Sequence, residues 1–458
     1  MAGIFKAYDI RGVVGKELTK AIAYKLGRAF VTFFKKENLP CKNVVVGRDI
    51  RMHTEPLFAE LVRGLTEQGA NVIDIGQVST PMSYFANGHL KADASIMITA
   101  SHNSAEWNGF KLCKKGAEPI SGDTGIQIIA QIIKGKKFAK KPAKPGVVQR
   151  QNVLVEYAKH VAKFARPKRP LHIAIDFANG MGIWEAEALK GLLTWDALYD
   201  TPDGWFPNHA ADPLTYETLV DLQKKLRNNK GKYAFGVAFD GDADRAGFVD
   251  ENGERISGDL ITALIALDMI ETGRGKVFLY DVRCSWAVKA EIEKAGGKAI
   301  MCTVGHAGIK QKMRKNRAIF AGEVSAHYYF KDNFVAESQA MAILTVASIV
   351  EKKGEPLSKL IQPLRDGYCS SGEENSYDVT WKKEDLFKKL RKEFPGGRML
   401  KLDGLSIEFK NDWWFNVRCS NTEPIVRLNL EVKHQDPAEA KRKMEELRDR
   451  ILAIIRKK

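Results

Sequence analysis

"NVVVGRDIRMHTEPLFAELVRGLTEQGANVIDIG", residues 43–76, sets two short apolar runs, 43–47 and 71–76, on either side of a segment at 57–68 with helical apolar spacing. Leu57, Leu61 and Leu65 recur every fourth residue, whereas the outer runs are β-branched and too short for helices. Strand, helix, strand is the reading. A strand that returns through a helix lies parallel to the one it left. A third apolar run, "SIMITAS" (95–101), continues the series, which predicts βα units on a mostly parallel sheet.

The alternation breaks at the Lys/Pro/Gly stretch 134–146 and resumes with "LHIAIDFANG" (171–180), a helix at 183–193, "WDALYD" (195–200), a helix at 217–230 and "FGVAFDGDADR" (235–245). A third unit follows, with a helix at 259–271, "KVFLYDV" (276–282), a helix from Trp286, "AIMCTVG" (299–305) and a helix at 336–356. From about Tyr368 strands follow one another directly, and a helix at 437–456 closes the chain, as in an α+β domain with antiparallel pairing. The 458 residues are too many for one core, and the expected domains are 1–148, 149–254, 255–366 and 367–458. The fold class expected is α/β: three mixed α/β domains of related topology, then a C-terminal α+β domain.

Composition narrows the function. Lys and Arg number 72 against 56 Asp and Glu, a net charge of +16 that raises an anionic partner. The basic residues fall in amphipathic or linker stretches such as 442–458 and 134–146, with no interleaved aromatics. That favours a solvated lysine-rich surface over a nucleic-acid groove. Six cysteines lack CxxC spacing, so neither a zinc site nor a disulfide framework is indicated. "MAGIFKAYDIRG" is not a signal peptide and no apolar run reaches about 18 residues, so no membrane association and a cytoplasmic location are expected. Monomer and dimer stay equally open.

Chemistry concentrates in a few stretches. "AFDGDADRAGF" spaces Asp240, Asp242 and Asp244 by two; in extended backbone that spacing puts three carboxylates on one side, where a divalent cation is the natural counter-charge. An EF-hand loop needs Gly at its sixth position, where Arg245 stands, so magnesium is favoured over calcium. Ser101 ends the run 95–101 at a sheet edge where ligands collect. "TASHN" is not G-x-S-x-G, and in extended backbone Ser101 and His102 would point apart, which weakens a hydrolase reading. Ser101 reads either as a turn residue or, with His102 and Lys111, as a phosphoryl-transfer group. "VRCSNTEPIVRLN" groups Arg418, Ser420, Asn421, Thr422 and Arg427, donors suited to a phosphate cradle or simply a polar hairpin. "AGEVSAHYYF" spaces Glu323, Ser325 and His327 by two, a pattern suited to sugar hydroxyls. "AYDIRG" with Tyr8 and Arg11, "GRDIR" (47–51) and "TVGHAGIK" with Gly305 and His306 are loops able to present donors to a ligand, or ordinary surface turns.

"TASHN" with "NGFK", then "DGDADR", "GEVSAH" and "RCSNTEPIVR", in this order and along the whole chain, resemble the α-D-phosphohexomutase superfamily, specifically its phosphomannomutase/phosphoglucomutase branch. The resemblance implies four domains around a central active-site cleft, phosphorylated hexoses as substrates, Mg²⁺, and a hexose 1,6-bisphosphate as intermediate and activator. It implies that Ser101 carries phosphate, that Asp240, Asp242 and Asp244 hold Mg²⁺ together with it, and that Lys111 shuttles protons. His102, Arg11 and Arg245 then surround the reacting groups. Glu323, Ser325 and His327 would meet sugar hydroxyls, and Arg418, Ser420, Asn421 and Thr422 would clamp the phosphate that is not reacting. Arg283 stands where the family often has Lys, Ser104 replaces the usual Pro, and Val324 and Ala326 replace Met and Gly. The activity implied is phosphomannomutase with phosphoglucomutase; phosphoglucosamine mutase and a phosphoserine-dependent sugar phosphatase are the alternatives.

Overall fold

In the computed structural model the stretch 43–76 folds as strand Asn43–Arg48, helix Thr54–Glu67 and strand Asn71–Gln77, with the two strands parallel. The structure describes residues 2–164, 167–377, 379, 381–419 and 425–456. The chain forms two units. The first comprises Met1–Gly258, Gly305–Ala321 and Ser325–Ser358; the second comprises Asp259–Val304, Gly322–Val324 and Lys359–Lys458.

In the first unit, strand Ala94–Ile98 also runs parallel to Asn43–Arg48, but strands Trp107–Lys114 and Ile10–Val13 add to that edge antiparallel, so the seven-stranded sheet is mixed. The stretch after Ile98 is a return, not a crossover. Its eight intervening residues, counted from 99 to 106, are too few for a helical connection but ample for a loop between antiparallel strands. Helix Lys20–Lys36 covers this sheet and crosses Thr54–Glu67 closely: a Cβ on Gly27 would lie 2.4 Å from the Leu61 carbonyl oxygen, and one on Gly64 2.2 Å from that of Tyr24. Phe30, Phe33, Leu61, Ile96 and Ile129 are buried together beneath these helices.

A second sheet in the same unit orders Arg255–Ile256, Ala246–Asp250, Phe235–Phe239, His172–Asp176 and Thr194–Leu198. Phe235–Phe239 is parallel to His172–Asp176 and antiparallel to Ala246–Asp250, so the aspartate stretch is the turn between two neighbouring strands. The helix expected over 336–356 starts at Gln339, because Ala336–Glu337 pairs as a strand and the Ser338 side chain caps the helix by accepting from Met341 N. The helix expected over 183–193 spans only Gly182–Glu187, and Gly191 beyond it has φ +78°.

The second unit holds the parallel pair Val277–Asp281 and Lys298–Cys302, with helix Trp286–Lys294 between them. Its C-terminal sheet is antiparallel throughout, in the order Tyr368–Ser376, Val426–Lys433, Trp413–Cys419, Leu405–Phe409, Arg398–Leu400. Helices Lys383–Glu393 and Pro437–Arg456 bury Leu386, Leu390, Ile451 and Ile455 against Ile407, Phe415 and Leu430. Among the described residues no helix is long and apolar enough to cross a membrane.

Candidate active site

Ser101 sits just past strand Ala94–Ile98 and Asp240 just past Phe235–Phe239, each at the C-terminal end of a strand in a sheet with parallel pairs. Strand ends of this kind release the chain into loops while the sheet fixes their origin. The two loops touch. Ser101 Oγ donates to Asp240 Oδ2 at 2.9 Å, and a Cβ on Gly241 would fall 2.5 Å from the Ser101 carbonyl oxygen, so only glycine allows this approach.

Neither loop is extended. Ser101 has φ +53°, in the left-handed region, which turns its hydroxyl to within 3.3 Å of His102 Nδ1. The expectation that adjacent side chains point apart fails here, because it assumed strand backbone. The aspartates likewise gather through a turn with Ala243 at φ +59°, not through period-two alternation, and Ala326 at φ +61° turns the 323–327 stretch in the same way.

The three aspartates are buried, and their ligand oxygens lie within 4.8 Å of one another. Lys111, on the returning strand Trp107–Lys114, donates to Asp242 at 2.6 Å and Asp244 at 2.5 Å. Thr80 Oγ1 donates to Asp242 Oδ2 at 2.6 Å, while its backbone N–H holds the Asp242 carbonyl at 2.9 Å. Gln339 Nε2 donates to the Asp244 carbonyl at 2.6 Å, and His327 Nε2 lies 3.2 Å from the Asp244 carboxylate. Asp242 Oδ1 is buried without a hydrogen-bond partner. An all-oxygen, triply acidic set with an unused buried lone pair fits a hard divalent cation, so the triad could hold a metal.

The electrostatics follow from burial and neighbours. Burial, then repulsion from Asp244 and Asp242, pushes the Asp240 carboxyl well above its ordinary range. Burial opposes ionisation of Asp244 too, but Lys111 and His327 outweigh it and hold that carboxylate well below the ordinary range. Burial disfavours the Lys111 ammonium, yet Asp242 and Asp244 keep it charged far above the ordinary lysine range. Arg245, then burial and Arg11, depress His102, so its imidazole is neutral at pH 7. Arg245 lies 3.2 Å from Asp212. Arg11 donates to Asn103 Oδ1 at 2.5 Å and pairs with Asp9.

Gly305 has φ +109°, and a Cβ there would meet the Tyr8 ring at 2.8 Å; that ring stands edge-on to His306 at 6.0 Å. Burial, then Lys310 and Lys111, hold His306 well below its ordinary range. Ser325 Oγ lies 3.0 Å from His327 Nδ1.

In the second unit, Arg283 bonds Asp281 side-on, at 3.0 Å to Oδ1 and 2.9 Å to Oδ2, and lies 3.6 Å from both Glu323 and Glu373. Burial disfavours its charge, but Asp281 holds it well above the ordinary arginine range. Asp281 Oδ2 also accepts from Val324 N at 3.0 Å, which ties the backbone beside Glu323 to the partner of Arg283. Arg418 pairs with Glu373, and Arg427 Nε lies 3.9 Å from it. Burial, then the neighbouring Arg283, pushes Arg418 below the ordinary range. Ser420, Asn421 and Thr422 lie outside the described residues.

Several participants carry no signal of their own in the sequence: Thr80, Gln339, Asp281 and Glu373; Asn103 within "TASHN" and Arg51 within "GRDIR" lie in stretches that stand out, but neither residue has a role assigned from them. One signal was available for Arg51. It follows strand Asn43–Arg48, the parallel neighbour of Ala94–Ile98, and residues just beyond the same ends of paired strands meet at one sheet edge.

Models of the phosphoglucomutase/phosphomannomutase family match the chain in four consecutive pieces: alpha/beta/alpha domain I at residues 2–140, domain II at 155–253, domain III at 257–368 and the C-terminal domain at 379–450. A phosphomannomutase of Vibrio cholerae is 38% identical over 454 residues, covering 97% of each chain. One of Methanocaldococcus jannaschii is 39% identical over 456 residues, covering 98% of each. A crystal structure of a phosphoglucomutase/phosphomannomutase family protein from Burkholderia thailandensis superposes with a TM-score of 0.88 at 32% identity, covering 99% of this chain and 98% of that one. Four α/β domains in sequence, with relatives of this kind along the whole chain, define an intramolecular phosphotransferase, an isomerase by class. The chain belongs to the phosphoglucomutase/phosphomannomutase family.

Proposed function

We propose that this chain interconverts mannose 1-phosphate and mannose 6-phosphate, accepts the glucose phosphates as well, and works through a phosphoserine at Ser101 and a hexose 1,6-bisphosphate. The observation that carries the reading is the Ser101 hydroxyl, buried and bonded to one of three clustered aspartates while Lys111 is bonded to the other two. His102 Nδ1 does lie 3.3 Å from this hydroxyl, but the hydroxyl donates to Asp240 instead, within a cluster of carboxylates and a lysine ammonium, the setting for a transferring phosphoryl group.

In the forward half-reaction the P–O bond to Ser101 breaks and a P–O bond to the free hexose hydroxyl forms. That hydroxyl loses its proton and Ser101 Oγ gains one. Lys111, held as an ammonium, suits delivery of the latter proton and is restored by the one the hexose hydroxyl gives up, and the reverse half-reaction runs the same exchange backwards. Asp240, Asp242 and Asp244 would hold Mg²⁺, which when bound offsets negative charge on the phosphoryl oxygens. The bisphosphate then turns around and gives its other phosphate back to Ser101. We assign Glu323, Ser325 and His327 to the sugar hydroxyls, Arg283 and His306 with Tyr8 and Gly305 to substrate binding, and Arg418, Ser420, Asn421, Thr422 and Arg427 to the non-reacting phosphate. Arg11, His102 and Arg245 complete the surroundings of the reacting groups, and the domain limits 1–148, 149–254, 255–366 and 367–458 belong to the same reading. The relatives named phosphomannomutase support mannose over glucosamine.

The test is incubation with mannose 1-phosphate, Mg²⁺ and catalytic hexose 1,6-bisphosphate. Mannose 6-phosphate is the expected product, with phosphate on Ser101 by peptide mass and complete loss of turnover in Ser101→Ala. Free mannose and inorganic phosphate as main products would overturn the mutase reading.

A further inference from the structure

Arg51 has a side chain with 0% exposure, and its contacts are unusual for a buried arginine. Nη1 donates to the carbonyls of Ser104 at 2.6 Å and Trp107 at 3.1 Å; Nη2 donates to those of Ser101 at 2.7 Å and Asn103 at 2.6 Å. Nε donates to Asp49 Oδ2 at 3.1 Å. All five N–H donors of the guanidinium are therefore used, three of them on backbone oxygens of the serine loop and one on the first residue of the strand that follows it. Asp49 is itself fixed: its Oδ1 accepts from Arg51 N at 3.1 Å and Thr54 Oγ1 at 3.0 Å, and its backbone N–H donates to Ile98 O at 3.0 Å. The Phe206 ring lies 5.1 Å from the guanidinium carbon.

We infer that Arg51 is a positioning residue for phosphoryl transfer: it holds the Ser101 loop by its carbonyls so that the hydroxyl stays turned toward Asp240. This rests on the proposed phosphoserine role of Ser101. Left-handed backbone at a serine costs about 1 kcal/mol, and the bond to the Ser101 carbonyl helps hold that conformation. Because the carbonyls are committed to a cation, their negative ends do not compete with a phosphate for the surrounding donors. Because the hold is on backbone, no side chain needed for chemistry is occupied by it. Lysine cannot substitute, since an ammonium offers three donors from one point and cannot span four carbonyls in a plane.

The test uses the full-length chain with Arg51→Lys, and Asp49→Asn as a milder variant in case the first does not fold. A displacement of about 1 Å at a reacting atom costs about 10²-fold, so Arg51→Lys is expected to lower kcat by about 10–100-fold with KM for mannose 1-phosphate nearly unchanged. Inorganic phosphate released per product formed should rise, because a loose loop exposes the phosphoserine to water. Asp49→Asn should show the same signature at smaller size. Folded variants with unchanged kcat and unchanged phosphate release would overturn the inference. So would a rise in KM alone, which would place Arg51 in substrate binding. Wild-type protein that never acquires phosphate on Ser101 would instead bring down the proposed function, so the two failures are distinguishable.

Discussion

The two loops that meet at Ser101 Oγ and Asp240 are held in opposite ways. The serine loop is gripped through main-chain carbonyls by a single arginine, which leaves its hydroxyl and imidazole available. The aspartate loop is gripped largely through its carboxylates, by Thr80, Lys111 and His327. On the proposed mechanism, a group that passes phosphate to and fro is better not used as a structural anchor. A carboxylate that is to hold a cation can serve as one, because ammonium and metal are alternative answers to the same buried charge.

The sharpest way to break that contrast is Asp242→Asn. Turnover should fall by about 10²-fold or more, since a metal supplies several kcal/mol of charge stabilisation in such reactions. Thermal melting should lose its Mg²⁺-dependent shift, as a ligand that no longer binds the native state no longer stabilises it. In the absence of metal the variant should melt lower than wild type, because the buried Lys111 ammonium loses one of the two carboxylates that hold it. A variant that keeps the Mg²⁺ shift would show that Asp242 is an anchor only, and the contrast between the loops would lapse.

A smaller effect is expected from pH, and it should reach only one loop. Glu185, buried, accepts from Ser79 Oγ at 2.5 Å, Tyr157 Oη at 2.9 Å and Ala340 N at 2.9 Å. It thereby fastens the residue before Thr80 and the one after Gln339, two of the partners of the aspartate loop. Burial raises its pKa from an ordinary 4.5 to about 7, despite the hydrogen bond from Ser79 and the others that favour its charge. A raised carboxyl pKa means that the native state keeps a proton the unfolded chain has lost. The associated stability is therefore complete below about pH 4.5 and is lost as pH rises through about 7, at most about 3 kcal/mol. Melting temperature should fall between pH 5 and pH 8 in wild type and fall less in Glu185→Gln. An identical slope in both proteins would remove Glu185 from this role. Glu431 in the second unit is raised to about 7 by burial in the same way, so some slope should survive the substitution.

These supports also mark the limit of what the sequence tells. Ser101, Lys111 and the aspartates stand out because unusual residue types are crowded into short stretches. The braces do not, because each acts across a long gap in sequence: Arg51 reaches Ser101 over 50 residues, Thr80 reaches Asp242 over 162 and Glu185 reaches Ala340 over 155. Spacing rules also gave a right grouping for a wrong reason, since the aspartates converge through a left-handed turn at Ala243 instead of strand alternation. The sheet showed the same limit: periodicity distinguishes strand from helix but not parallel from antiparallel, and the return over Trp107–Lys114 was hidden inside a motif read for its chemistry.

The smallest expected effect is at Ser104, where the family usually has proline. A proline stiffens a loop by narrowing what the unfolded chain can do, worth about 0.4–1 kcal/mol where the native backbone permits it. In this chain the loop already has other holds: the Ser104 carbonyl accepts from Arg51 Nη1 at 2.6 Å and from Trp107 N at 3.1 Å, and Ser104 Oγ donates to Glu106 at 2.8 Å. The Arg51 contact alone outlasts the change to proline with its geometry set from outside the loop. Ser104→Pro should therefore raise the melting temperature slightly and leave kcat within about twofold, by the same entropic argument. A tenfold gain in kcat would mean that Arg51 leaves the serine loop loose, and the main-chain grip on which the comparison rests would be insufficient by itself.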